Sequence, residues 1–236
     1  IFRDRLYRPL HDDEDGMIGM CEEDTAKRIV NLDSFEVPFS METADELTYR
    51  RRFLTLFMEV GQKTHRGGSG VVYKVENAAG EVFALKRLIR EEHHPLVDEE
   101  RYERLRDAQE RAFRKEYENQ QRLSRFKGFP RLYGYGMIED DPIILMEWIE
   151  GITLTQARDE MVAYPKTYQW SPPDIALLGM SLFSLLSRMN CLEECFIHRD
   201  ISPNNIMFRT NRQNVAEQFE SGELDLCLID FGSSSM

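Results

Sequence analysis

Short apolar and β-branched segments divide the middle of the chain and predict a run of β-strands. Residues 53–60, 71–75 and 82–88 are each rich in Val, Phe, Leu or Tyr, and polar or glycine-containing turns separate them. Strands joined by such tight turns form an antiparallel meander. Two later segments, 131–136 and 142–148, have the same character, so the pattern predicts five strands in one small lobe.

A helical pattern lies between the third and fourth of these strands. Residues 97–126 carry many Glu and Arg side chains, and the sequence Gly-Phe-Pro at 128–130 ends the pattern. Apolar or small side chains recur near helical spacing at Leu105, Ala108, Ala112, Phe113, Tyr117 and Leu123. The segment predicts one long helix in the same lobe.

The last third of the chain predicts a second helix and two more strands. The sequence Ser-Pro-Pro-Asp at 171–174 supplies a capping hydroxyl, a proline for the first turn and an acid for the positive end of the helix dipole. The helix over 172–189 is apolar on most of its circumference. Strands are predicted at 205–208 and 225–230, with a polar, hairpin-like insert over 209–224 between them.

Composition and charge narrow the classes of function. The 236 residues carry a net charge of −12, which argues against a protein whose main task is to bind nucleic acid or an anionic membrane. The longest apolar run, 175–186, is too short to span a bilayer, so we expect no membrane segment. Four cysteines are too few for a disulfide scaffold and favour reduced thiols in a cytoplasmic protein. A zinc site at Cys191, Cys195 and His198 would lack a fourth ligand.

A glycine-rich turn, a strand lysine and a helix glutamate form the first group of candidate site residues. Residues 66–72, Arg-Gly-Gly-Ser-Gly-Val-Val, lie between two predicted strands, and glycine permits the close backbone approach that phosphate binding requires. Lys86 has apolar neighbours along its strand, so we expect it to be partly buried and to need a charged partner. Glu116 is the predicted partner because it lies on the inward stripe of the long helix, unlike Glu110 and Glu118.

Two polar motifs near the C-terminal end are the most specific indication of the chemistry of the site. The sequence His-Arg-Asp at 198–200 is followed by Asn205 and a short strand, and a later strand delivers Asp230 to the turn Asp-Phe-Gly at 230–232. Asn205 and Asp230 offer oxygen ligands of the kind that Mg²⁺ prefers when it is shared with phosphates. Asp200 can accept a proton from a hydroxyl nucleophile.

In this combination the chain resembles the eukaryotic-type protein kinase superfamily, which also has bacterial members. A glycine-rich loop, a strand lysine, a helix glutamate and the H-R-D-x-x-x-x-N and D-F-G motifs occur in the expected order between about Val60 and Gly232. The resemblance implies an α+β, two-lobed fold with ATP in the cleft. Its N-terminal lobe would hold five antiparallel strands and one long helix, and its C-terminal lobe would be incomplete and mainly helical.

The resemblance also implies roles for individual residues. Lys86 would hold the α- and β-phosphates of ATP and pair with Glu116. Asp200 would be the catalytic base, and Asn205 and Asp230 would bind Mg²⁺. Nucleotide contacts, from the loop over the phosphates to the gatekeeper and the adenine hinge, would come from Gly67, Gly68, Ser69, Gly70, Val72, Ala84, Lys86, Met146, Glu147 and Ile149.

On this basis the chain divides into three parts. Residues 1–50 form an acidic N-terminal extension, 51–149 the N-terminal lobe with the hinge, and 150–236 a partial C-terminal lobe that ends just after Asp-Phe-Gly. Because the family's activation segment and later helices would follow the last residue, we expect the isolated fragment to be inactive and poorly behaved.

Three departures from the family pattern bear on function. His65 stands where the first loop glycine is expected, and Ser202 stands where many Ser/Thr kinases have a lysine after the catalytic aspartate. The segment between Lys86 and Glu116 is long.

The leading interpretation is an ATP-dependent protein kinase, of Ser/Thr type. The alternatives are a pseudokinase that serves as a binding or scaffolding module and a small-molecule kinase of the aminoglycoside or choline type.

Overall fold

The computed structural model arranges the chain in two lobes. It describes residues 26–62, 65–66, 70–88, 90, 98–163, 170–192 and 196–234. Within these ranges a sheet-rich N-terminal lobe precedes a C-terminal lobe of helices and a small sheet, in agreement with the predicted α+β class. Among the described residues, no helix combines the length and apolar character needed to cross a bilayer.

Sixteen elements follow one another along the described chain. They are β1 (Lys27–Asn31), β2 (Ser34–Glu36), α1 (Thr43–Arg51), β3 (Thr55–Glu59), β4 (His65–Arg66), β5 (Val71–Asn77), β6 (Val82–Arg87), α2 (Glu99–Leu123), β7 (Leu132–Ile138), β8 (Asp141–Glu147), β9 (Gly151–Thr153), α3 (Leu154–Ala163), α4 (Pro172–Met189), β10 (Ile206–Arg209), α5 (Val215–Ser221) and β11 (Leu226–Leu228).

The N-terminal lobe is built on an antiparallel sheet with more strands than the sequence pattern predicts. Eight strands pair in the order β1-β3-β5-β6-β8-β7-β2, with β4 attached to β5. The five predicted strands are present as β3, β5, β6, β7 and β8, so the count of five was too low. The additional strands are short; among them β1 is largely exposed and β2 buries one residue, Phe35, so no apolar alternation marks these two in the sequence. Two of them come from residues 27–36, within the predicted extension.

An aromatic cluster forms the centre of this lobe. Phe53 is fully buried, and its ring lies 5.3 Å from the ring of Phe35, 5.3 Å from that of Phe83 and 5.6 Å from that of Tyr133. Because these rings come from β2, β6, β7 and the turn before β3, their packing ties β2 to the central strands.

Helix α2, predicted over 97–126, packs on the sheet through its second half. Its first turns are exposed, and its buried residues are Phe113, Glu116, Tyr117, Asn119, Gln120 and Leu123. Three of these six are polar, which is unusual for a helix face inside a protein and points to partners on other elements.

The predicted helix over 172–189 is confirmed as α4, and it packs on the C-terminal lobe through one side. Ser171 accepts a hydrogen bond from the Asp174 backbone N–H, and Asp174 accepts one from Ser171 in return, so the predicted cap is present as a capping box. Leu185 and Met189 are buried, whereas Phe183 on the outer side is 76% exposed.

The insert between the two predicted strands contains a helix rather than a hairpin. Residues 215–221 form α5, which begins with a second capping box between Asn214 and Glu217 and ends at Gly222 with a left-handed backbone. The helix buries Phe219 in the C-terminal core, and this burial stabilises a segment that reads as polar in the sequence. Strands β10 and β11 pair with each other, and β9 pairs with the outer side of β10.

Candidate active site

Lys86 lies on strand β6, in the middle of the N-terminal sheet. It pairs in register with Val72 on β5 and Ile144 on β8, and its side chain is only 3% exposed. A lysine so deeply buried destabilises the fold unless carboxylates compensate its charge.

Two carboxylates meet the Lys86 ammonium. Its Nζ lies 2.5 Å from Oε1 of Glu116 on helix α2 and 2.9 Å from Oδ1 of Asp230, which follows strand β11. Burial alone would lower the pKa of Lys86, but the two carboxylates reverse this effect and raise it above its ordinary value. Burial likewise opposes ionisation of Asp230, yet Lys86 holds the pKa of this carboxyl below its usual range. Lys86 and Asp230 are therefore both charged at neutral pH in this arrangement.

Glu116, the predicted partner of Lys86 on the long helix, is thus the helix residue that contacts Lys86 in the structure. Glu110 instead pairs with Arg90 at 2.8 Å, and Glu118 is half-exposed on another side of the helix. The length of the segment between Lys86 and Glu116 does not displace the pair, because helix α2 packs on the sheet through the half that contains Glu116.

Asp230 is held in place by its own turn and by the next residue. Its backbone has a φ of 62°, a left-handed value that costs a non-glycine residue about 1–3 kcal/mol. The Gly232 N–H donates to Asp230 Oδ1 at 3.4 Å. Phe231 is 1% exposed and packs against Phe129, Phe196 and His198, so the buried ring fixes the turn that carries the carboxylate.

The loop before β10 presents Asp200 to solvent. The Asn205 side chain donates to the Asp200 carboxylate at 2.9 Å and to its backbone carbonyl at 3.0 Å. The Asp200 N–H donates to Nδ1 of the buried His198 at 3.3 Å, which leaves that nitrogen without a proton. Burial lowers the pKa of His198, only partly opposed by the Ile229 backbone and the nearby carboxylates, so the imidazole is neutral.

The pairing of β10 with β11 brings the two predicted metal ligands to the same end of the small sheet. Ile206 lies opposite Leu228, and the Ile229 N–H donates to the Asn205 carbonyl at 2.9 Å. In an antiparallel pair the residue before one strand adjoins the residue after the other. Asn205 and Asp230 therefore flank the same corner of the sheet.

The glycine-rich loop is described only at its end. Gly67, Gly68 and Ser69 lie outside the described residues. A Cβ at Gly70 would stand 2.5 Å from the carbonyl oxygen of Arg87, so glycine is needed there for the close approach of β5 to β6. This packing requirement is distinct from the predicted covering of phosphates.

The predicted adenine-side residues share one face of the sheet with Lys86. Strand alternation puts Ala84 and Lys86 on the same face, and their cross-strand partners on that face include Val72 and Met146. Ala84 is 6% exposed, and Met146 accepts a hydrogen bond at its sulfur from Gln120 of α2. Ile149, just beyond β8, is also buried.

Glu147 has a structural partner that the sequence motifs did not indicate. Its carboxylate forms a forked ion pair with Arg209 on β10, with distances of 2.5 and 3.1 Å, and also accepts from the Arg131 N–H at 3.1 Å. Arg209 additionally approaches Cys227 at 3.5 Å, where burial raises the pKa of the thiol to about 12. The pair joins the end of β8 to the small sheet and fixes the backbone where the hinge was predicted.

A second unpredicted contact links helix α2 to the segment after Asp-Phe-Gly. Asn119, which is fully buried one turn beyond Glu116, donates to the Ser234 hydroxyl at 2.8 Å and to its carbonyl at 3.3 Å. An Asn one turn beyond a predicted inward Glu is the sequence signal that could have indicated it.

The donor set fits a magnesium–nucleotide complex. Oδ2 of Asp230 and Oδ1 of Asn205 take part in no hydrogen bond among the described residues. Within the same residues no group of three or more His, Cys, Asp or Glu side chains is arranged to hold a metal ion alone. Such a sparse ligand set suits Mg²⁺, which in nucleotide sites takes one or two protein oxygens and completes its coordination with phosphates and water.

Comparison with known proteins agrees with this geometry. A family model described as the protein kinase domain matches residues 58–236. The class of protein that the fold and the site define is therefore the phosphotransferases, and the chain belongs to the protein kinase family. The predicted relationship is confirmed. No significant match was found among curated proteins.

Proposed function

We propose that this protein transfers the γ-phosphate of ATP, with Mg²⁺, to a hydroxyl group of a protein substrate, of Ser or Thr type. The observation that carries the proposal is the position of Lys86, buried between Glu116 and Asp230. This geometry supports a role in orienting charged phosphates, because a fixed ammonium in a dry cleft attracts them far more strongly than one in water.

Each charged group has a distinct task in this proposal. Lys86 contacts the α- and β-phosphates, and Glu116 keeps it in place. Asp230 and Asn205 hold Mg²⁺, which when bound neutralises the charge of the β- and γ-phosphates. Asp200, oriented by Asn205, accepts the proton of the attacking hydroxyl.

Two features of the sequence bear on the class of acceptor. Ser202 occupies the position of the usual lysine of Ser/Thr kinases, and its N–H donates to the Asp200 carbonyl at 3.1 Å within the loop turn. Asp-Phe-Gly at 230–232 and the arginine after His198 are the motif residues that favour a protein kinase over a small-molecule kinase.

The test is a phosphotransfer assay with the whole encoded protein, γ-labelled ATP and Mg²⁺. Protein and peptide acceptors with Ser, Thr or Tyr are compared with sugar and aminoglycoside acceptors, and Asp200→Asn is the matched control. We expect transfer to Ser or Thr, and a rate lower by roughly a hundredfold or more in Asp200→Asn at nearly unchanged ATP affinity. Transfer to the small molecules alone would indicate the small-molecule class, and ATP binding without any transfer would indicate a pseudokinase.

A further inference from the structure

Strand β2 pairs with β7, in which two alternate residues, Gly134 and Gly136, have no side chain. Ser34, Phe35 and Glu36 pair with Met137, Gly136 and Tyr135. A Cβ at Gly136 would lie 2.5 Å from the Ser34 carbonyl oxygen, and one at Gly134 would overlap the Phe35 ring. Any other residue at either position would push β2 away. The sequence of β7 is therefore adapted to hold this N-terminal segment.

From β2 the chain continues along helix α2 and forms hydrogen bonds with it at two points. Oε2 and Oε1 of Glu36 accept from Nη1 and Nη2 of Arg114 at 2.7 and 2.8 Å. The Arg114 guanidinium also stacks on the rings of Tyr117 and Tyr135, at 5.1 and 4.7 Å. Two helical turns further on, the Gln121 side chain donates to the Pro38 carbonyl.

The contacts of Arg114 and Gln121 lie on the side of helix α2 opposite Glu116. Residues 114 and 121 share one helix face because seven residues make about two turns, whereas Glu116 lies about 200° around the axis from Arg114. The first half of the helix is largely exposed, and Glu110 at its end pairs with Arg90. Contacts on the outer side of the second half therefore limit the rotation and tilt that would withdraw Glu116 from Lys86.

We propose that residues 32–41 act as a clamp on helix α2 and that Glu36 and Arg114 are positioning residues for phosphotransfer. The clamp keeps the Glu116 carboxylate at the Lys86 ammonium without touching the substrate or the nucleotide. This inference deepens the proposed function, on which its effect on catalysis rests.

The protein offers a closely matched control in the ion pair of Arg52 with Glu81. This pair is also forked, its side chains are 39% and 41% exposed against 37% and 51% for Arg114 and Glu36, and Arg52 likewise stacks on two rings. No described contact of the Arg52–Glu81 pair involves helix α2. Arg114→Gln and Arg52→Gln thus both remove a forked ion pair and two ring contacts, with and without the helix, and Arg114→Gln also removes the 3.7 Å contact of Arg114 with Glu118.

The first measurement is amide hydrogen exchange of residues 113–123 in the whole protein, which requires no turnover. We expect exchange about fivefold faster in Arg114→Gln, the factor equivalent to ~1 kcal/mol for a half-exposed pair, and no change there in Arg52→Gln. Equal exchange of the helix in the two variants would overturn the clamp.

The second measurement is kcat for phosphotransfer, with a charge reversal as rescue. We expect kcat, measured well below the melting temperature of each variant, to fall by up to about fivefold in Glu36→Arg and in Arg114→Glu, and to recover in the double variant. A change in helix exchange with kcat untouched would reduce the clamp to a structural feature and overturn the positioning role. If the unsubstituted protein transfers no phosphate, the proposed function fails, and the exchange comparison alone decides the clamp.

Discussion

Two ion pairs, one buried and one partly buried, lie close to the predicted cleft, and they differ in charge balance. Lys86 and Glu116 are 3% and 2% exposed, and Asp230 adds a second carboxylate to the same ammonium. Arg209 and Glu147 are 16% and 24% exposed, and their fork matches one cation with one anion. The first group carries a net negative charge, whereas the second is neutral.

This difference in charge balance distinguishes an ion pair that stabilises the fold from a candidate ligand-binding site. A neutral, forked pair satisfies its own charges and needs nothing further. A group with one cation and two carboxylates leaves negative charge in a poorly solvated place, which the divalent cation of the proposed function would compensate. The charge balance thus distinguishes positions that chemistry requires from positions that the fold requires.

Replacement of Lys86 should have the largest effect on activity. We expect Lys86→Met to lower phosphotransfer by about a hundredfold to a thousandfold, as for loss of one preorganised electrostatic contact. Glu116→Gln should also impair it, and the double variant should be little worse than the worse single variant, because the two residues act as a unit. Initial rates of labelled phosphate transfer measure all three. Fully additive losses would contradict the coupling.

The second-largest effect should be the loss of stabilisation by Mg²⁺ and ATP when Asp230, the second carboxylate at Lys86, is replaced. Mg²⁺ and ATP at about 100 times the dissociation constant should stabilise the protein by about 2.7 kcal/mol, and Asp230→Asn should remove most of this gain, because the metal loses its carboxylate. Thermal unfolding with and without Mg²⁺ measures the difference. ATP without the metal is the control, and equal shifts in both proteins would argue against Asp230 as a ligand.

The neutral pair should behave in the opposite way. We expect Arg209→Gln to destabilise the protein by about 2 kcal/mol, because it leaves the half-buried Glu147 carboxylate without its cation. The double variant Arg209→Met with Glu147→Gln should recover most of the stability and keep kcat. Urea unfolding and transfer rates measure the two quantities. A double variant that is stable but inactive would place Glu147 with the site rather than with the fold.

The smallest expected effect is a pH dependence from His198. Because its folded-state pKa lies below the ordinary value of 6.5, the unfolded chain binds the proton first. The corresponding stability is present above that value and is lost as the pH falls through it. Urea unfolding at about pH 7.5 and 5.5 should show a greater loss in the natural protein than in His198→Asn, which keeps an acceptor for the Asp200 N–H. Identical losses would mean that other groups govern this range.

The sequence was sufficient for the parts of the site that local motifs carry. Asp200, Asn205 and Asp230 stand in short motifs beside strands, and the apolar neighbours of Lys86 and Glu116 showed which side chains face inward. Antiparallel pairing then brings them together, because the strands are predictable from their own residues.

The parts that depend on distant partners were not predictable in this way. Strand β2 buries one residue, and its place is set by glycines of β7 about a hundred positions further on. Arg209 reads as an ordinary charged residue at a strand end, and its role appears only when β8 and β10 meet. Helix α5 did have a local signal, the Asn-x-x-Glu capping box at 214–217, which the polar character of the segment obscured.

The glycines at 134 and 136 also determine where the molecule can be shortened. Without β2, strand β7 becomes a bare sheet edge, with unpaired backbone groups and no side chain at two alternate positions to keep another chain away. The family match begins at residue 58, after β1, β2 and α1. A protein expressed from residue 58 would therefore expose the edge of β7 to pairing with other chains, and it would lose Phe35 and Phe53 from its aromatic centre. A protein that begins before residue 26 retains β2 and these two rings.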